Sequence, residues 1–223
     1  MKRLKIIIGN RRYKKEGEAF LTSELKESSC YEFYRYFETV AFVPNKKTPF
    51  KHAFDNILNL LFFNRVCENH SKTEYTKILE TKDSIIDFIN CLYTNHKIVL
   101  INQDELIEYK KLINANVLVN NIDSLDYSKL INKKALEETN KKLKYLTNAE
   151  AILICGNDAK RNIKKLFNNS LKNVYESVHP SHQSSTQDNE NYIDDWIDVK
   201  TDYKNNGNGN HKIKEHFMIK PEN

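Results

Sequence analysis

The chain has 223 residues, 39% of them hydrophobic, and a formal net charge of +5, with a mass of 26.3 kDa and a pI near 8.8. No apolar run approaches the length needed to span a bilayer, and MKRLKIIIGN lacks the length and cleavage site of a secretory signal. The four cysteines, Cys30, Cys67, Cys91 and Cys155, show no CxxC spacing, which argues against a structural metal site and against a disulfide framework.

The expectation is an intracellular, reduced protein, cytoplasmic or nucleoid-associated, with no membrane contact. Its mild basicity permits a polyanionic partner without requiring one, because 35 basic residues face 30 acidic ones. Basic residues cluster at Lys2–Lys15 and again at Lys160, Arg161, Lys164 and Lys165.

The first apolar run, LKIIIG (4–9), reads as a strand covered on both faces, the pattern of a parallel sheet. It leads into Gly9, Asn10 and a basic loop that ends at GEAF. Ligands of open α/β sheets sit beyond the carboxyl ends of the strands, so this loop is a candidate site. Gly9 allows close backbone approach. Asn10, Glu16 or Glu18 would position or activate a water, and Arg11 and Arg12 would draw an anion. Phe20 would either stack on a planar ligand or fill the core.

Helical periodicity follows over 29–37 (Tyr31, Tyr34 and Phe37 on one face), over 51–63 and over 81–93. ETVAFV (38–43) is a further strand candidate. Asn64 stands directly after an apolar run, so its amide must satisfy both a donor and an acceptor. It would either cap the preceding helix or read the edge of a nucleobase, whose amide or imide carries the complementary pair.

KIVLI (97–101), NVLVN (116–120) and AILICG (151–156) are strands by the same argument as the first, and NVYESV (173–178) is a weaker one. A helix over 159–167 follows Gly156-Asn157, with Asp158 suited to its first turn. In VHPS, Pro180 pushes His179 toward extended geometry, so the imidazole projects from a strand end. Ser181, Ser184 and Ser185 are short hydroxyl donors of the type that hold phosphates.

Strands alternating with helices predict an α/β fold, a three-layer α/β/α sandwich around a short, mainly parallel four-stranded sheet. One domain is expected over 1–187, with an insertion at about 103–148. Residues 188–223 form a polar, partly flexible C-terminal segment.

The order of these motifs resembles the uracil-DNA glycosylase superfamily, most clearly at ILICGNDA and VHPS and more loosely at IIIGN with GEAF. The resemblance spans most of 4–186. It implies a monofunctional DNA N-glycosylase that uses no metal or cofactor and hydrolyses the bond to a deaminated or modified base flipped out of DNA; a monomer is expected. By the same resemblance, Asn10, with Glu16 or Glu18 as alternatives, positions water, Phe20 stacks on the base, Asn64 reads its edge, and His179 stabilises charge on the departing base.

Two features depart from the family pattern. Gly9-Asn10-Arg11-Arg12 contains no proline, and His182-Gln183 stand where many members carry an apolar wedge. The alternatives are a hydrolase or transferase acting on free nucleosides or nucleotides, and a DNA-binding member of the fold without activity.

Overall fold

The computed structural model describes residues 3–10, 19–45, 52–62, 77–106, 137, 140–167, 170–177, 179–180, 213 and 215–219. Its centre is a four-stranded parallel sheet of β1 (Lys5–Gly9), β4 (Ile98–Asn102), β5 (Ala151–Cys155) and β6 (Val174–Ser177), in the order β4-β1-β5-β6. Ile7 of β1 aligns with Leu100 on one side and with Leu153 on the other. Every residue of β4 and β5 is buried, and so are four of the five in β1. Successive side chains of a strand point to opposite faces, so continuous burial means that both faces are covered. The sheet is α/β in the expected sense; the 116–120 strand lies outside the described residues.

Helices among the described residues include α1 (Tyr31–Tyr34), α2 (His52–Phe62), α3 (Lys82–Thr94) and α4 (Asn157–Phe167), and residues 140–147 are helical as well. Thr81 caps α3 by accepting the Ser84 N–H at 3.0 Å, which satisfies one of the donors a helix start leaves open. The 29–37 periodicity yields only the single turn of α1. Phe33, Tyr34 and Phe37 are nevertheless core residues, with the Phe33 ring 5.1 Å from both Tyr34 and Phe37, while Tyr31 is partly buried against the core. The Tyr34 hydroxyl accepts the Leu100 N–H at 2.9 Å and so closes a donor on the outer edge of β4.

The apolar run at 38–43 is a strand, β3 (Thr39–Pro44), but it is not part of the parallel sheet. It pairs antiparallel with β2 (Ala19–Leu21), with an irregular register between Ala19 and Leu21. All six residues of β3 are buried, because it packs against β4, β1 and α2. Within it, Phe42 has φ +65°, a backbone state that costs a bulky residue about 1–3 kcal/mol.

The C-terminal segment contributes to the core as well. Ile213 and Phe217 are buried, and the Ile219 N–H donates to the Leu61 carbonyl at the end of α2 at 2.6 Å. The domain read as 1–187 therefore draws packing from residues beyond it. No helix among the described residues is long and apolar enough to cross a membrane.

Candidate active site

The order β4-β1-β5-β6 makes the chain leave β1 for one side of the sheet and then return past it to β5. The carboxyl ends of β1 and β5 consequently flank a point where the connections diverge, the place where open α/β sheets form a ligand crevice. Gly9 ends β1 and stands in register with Asn102 at the end of β4. Gly156 follows β5, and its N–H donates to the Ser177 carbonyl of β6 at 2.9 Å. His179 comes two residues after β6.

β3 runs across these strand ends. At its start, the Thr39 hydroxyl accepts from the Asn102 amide at 3.0 Å. Farther along, the Phe42 ring reaches to 3.0 Å from where a Cβ on Gly9 would sit, and the Asn102 carbonyl oxygen reaches to 3.1 Å from the same point. The Phe42 ring centroid is 6.0 Å from that of His179, with the planes tilted by 48°. The left-handed φ of Phe42, within an irregular stretch of strand, is the local device that turns this ring toward Gly9 and His179.

His179 packs over Gly156. A Cβ on Gly156 would lie 3.3 Å from the His179 Cβ and 3.5 Å from Cδ2, and Gly156 itself has φ +101°. The segment is held from the other side by α2, whose Asn56 amide donates to the Pro180 carbonyl at 2.6 Å. Desolvation by burial lowers the pKa of His179 from its usual 6.5, so the imidazole is neutral at physiological pH and carries a single N–H donor.

Asn10 directly follows Gly9 at the end of β1. Its carbonyl oxygen is 3.4 Å from the Gln103 amide nitrogen, and Gln103 in turn accepts from Asn162 of α4 at 3.1 Å. The structure thus gathers Gly9, Asn10 and His179 around the strand ends. Phe20 is 1% exposed and belongs to the hydrophobic core. Glu16, Asn64, Arg11, Arg12, Ser181, Ser184 and Ser185 lie outside the described residues, as does Glu18.

Two residues of the site were not singled out from the sequence. Asn102 closes the run IVLIN, so the argument applied to Asn64 (an amide directly after apolar residues) would have found it. It is 3% exposed. Phe42 carries no such signal, because its orientation depends on a positive φ.

The basic residues of α4 are largely engaged. Lys160 pairs with Glu176, Lys164 pairs with Glu176 at 2.8 Å, and Arg161 pairs with Asp158 at 2.5 Å. Burial raises the Glu176 pKa, but the hydrogen bonds and charges of the two lysines outweigh it and leave the carboxyl below its ordinary value. Of the basic cluster read at 160–165, these three side chains balance acids of the same domain.

Among known proteins, no family model, no curated protein and no solved structure matches this chain.

Proposed function

We propose that this protein is a DNA N-glycosylase with a uracil-DNA glycosylase-like fold, acting on a deaminated or modified base. The observation that carries this reading is that the Phe42 ring meets a buried amide at Gly9, at the carboxyl ends of β1 and β4, and also neighbours the neutral imidazole of His179, which packs over Gly156 after β5. In the proposed mechanism the flipped base lies against the Phe42 ring. Asn102 uses its carbonyl oxygen and one amide N–H to pair with an N–H and a carbonyl of the base edge. This assigns edge reading to Asn102 in place of Asn64, and stacking to Phe42 in place of Phe20.

As the bond between C1′ and the base nitrogen breaks, its electron pair passes to the base. The His179 N–H then hydrogen-bonds the base oxygen on which the charge accumulates. A neutral donor in a desolvated position is suited to this, because it stabilises developing charge without itself having to be desolvated as a cation. Asn10, with Glu16 as the other candidate, positions the water whose oxygen bonds to C1′. The water gives up a proton, and the base leaves as an anion that is later protonated.

The second reading, a hydrolase on free nucleosides or nucleotides, is favoured by one observation: three of the four basic side chains of α4, Lys160, Arg161 and Lys164, pair with acids of the domain, which reduces the positive charge this helix presents to a polyanion. Salt separates the two. A glycosylase contacting several phosphates loses affinity for its oligonucleotide steeply as ionic strength rises, whereas cleavage of a free nucleoside changes little. Base release from oligonucleotides with this salt dependence supports the glycosylase, and release only from free nucleosides supports the alternative.

A further inference from the structure

Behind Asn102 lies a chain of buried hydrogen bonds with a definite direction. Glu105 is 3% exposed. One of its carboxyl oxygens, Oε2, accepts the Glu38 N–H at 2.7 Å, and the other, Oε1, accepts the Thr39 N–H at 3.2 Å. Oε1 also accepts the Thr39 hydroxyl at 2.6 Å. A threonine hydroxyl has a single hydrogen. Once that hydrogen is given to Glu105, the oxygen has only lone pairs for Asn102, and the Asn102 amide nitrogen donates to it at 3.0 Å. The amide nitrogen must therefore face Thr39, and the carbonyl oxygen must face Gly9, where it stands at 3.1 Å from the Cβ position.

We infer that Glu105 is a positioning residue which, through Thr39, holds the Asn102 side chain in one of its two amide orientations. An asparagine amide is nearly symmetric in shape and can turn over, which exchanges its donor and acceptor. In a site that reads a base edge, that exchange replaces complementarity with two clashing donors or acceptors. The Glu105–Thr39 pair removes the choice. It also joins the start of β3 to the end of β4, so the element carrying Phe42 and the one carrying Asn102 are set together. The consequence for base recognition rests on the glycosylase reading; the orientation of the amide does not.

Three substitutions separate this role from simple packing. Thr39→Val keeps the shape and removes the hydroxyl. Glu105→Gln keeps the shape but replaces one acceptor with an NH2, so either a backbone N–H or the Thr39 hydroxyl meets a donor. Thr39→Ser retains the hydroxyl and is the conservative control. The first readout is the Asn102 side-chain amide in 15N-labelled, ligand-free protein, assigned by its loss in Asn102→Asp. Its protons should be protected from exchange in the wild type and in Thr39→Ser, and about tenfold or more less protected in Thr39→Val and Glu105→Gln.

The second readout is kcat/KM for release of uracil from a uracil-containing oligonucleotide, with melting temperature measured alongside. It should fall by about tenfold or more in Thr39→Val and Glu105→Gln, and by less than about threefold in Thr39→Ser. An unchanged Asn102 amide in Thr39→Val, with only the melting temperature lowered, overturns the inference and leaves Glu105 as a cap for the Glu38 and Thr39 N–H groups. If Glu105→Gln does not fold, Thr39→Val decides alone. A wild-type protein that releases no base from any oligonucleotide overturns the glycosylase reading, while the amide measurement still decides the orientation.

Discussion

The Cβ that Gly156 lacks would lie 3.3 Å from the Cβ of His179. The turn after β5 is therefore the floor on which the site's imidazole rests. Gly156 also has φ +101°, which an L side chain rarely adopts. Gly156→Ala should cost about 1–3 kcal/mol in stability and displace His179, lowering turnover more than the loss of stability accounts for. Urea unfolding and single-turnover kinetics on the same preparation check both parts.

Phe42 gives a test in which the usual order of two substitutions reverses. Removing the buried ring costs about 3–5 kcal/mol in Phe42→Ala. Phe42→Gly removes one carbon more, and in ordinary strand backbone glycine is the worse replacement. At φ +65° the glycine avoids the strain that alanine keeps, so Phe42→Gly should be the more stable variant by about 1 kcal/mol. Chemical denaturation of the two variants measures the difference.

The lowered pKa of His179 has a fixed sign in stability. In the unfolded chain the imidazole takes a proton as pH falls through its usual value of 6.5, while the folded protein keeps it neutral to lower pH. Over that window the unfolded state binds more protons, so this residue makes the protein lose stability as pH falls. The effect is absent above 6.5 and stops growing once the folded imidazole also protonates. His179→Gln should flatten the stability profile between neutral pH and about pH 5 relative to the wild type.

Tyr34 is the partner of an edge N–H on β4. Tyr34→Phe leaves the Leu100 N–H buried without its acceptor and should cost about 1–3 kcal/mol. Hydrogen exchange should locate the change at Leu100, with little effect at Leu153 of β5.

Three strands of the parallel sheet were legible because their burial is continuous, whereas β6 is only half-buried along its length. KIIIG, IVLIN and AILIC have apolar residues at successive positions, and both faces of the sheet are covered. The same signal could not separate β3 from them. TVAFVP is buried throughout as well, but its cover comes from strand ends and α2, and its sheet partner among the described residues, β2, is three residues long. His179 and Gly9 were legible from chain order, since Gly9 closes a strand and His179 stands two residues beyond another. Phe42 was not, because its aim depends on a backbone state that residue type does not encode. Asn102 was legible by its position after an apolar run, the same signal that singles out Asn64, and its register beside Gly9 is what places it at the strand ends. Ile213 and Phe217 were hidden by their polar neighbours in HKIKEHF, where an i, i+4 pair is too little periodicity to read.

The central claim is that His179, Phe42 and Asn102 together release a base from DNA. The most direct measurement is the appearance of alkali-labile abasic sites in oligonucleotides carrying uracil, hypoxanthine, xanthine or modified pyrimidines, with wild-type protein and His179→Ala in parallel. The account predicts abasic product from at least one of these with the wild type, and a rate lower by about 10²–10³-fold with His179→Ala, the usual cost of losing one donor to a developing anion. Abasic product formed equally fast by His179→Ala, or no product from any oligonucleotide with the wild type, would contradict it.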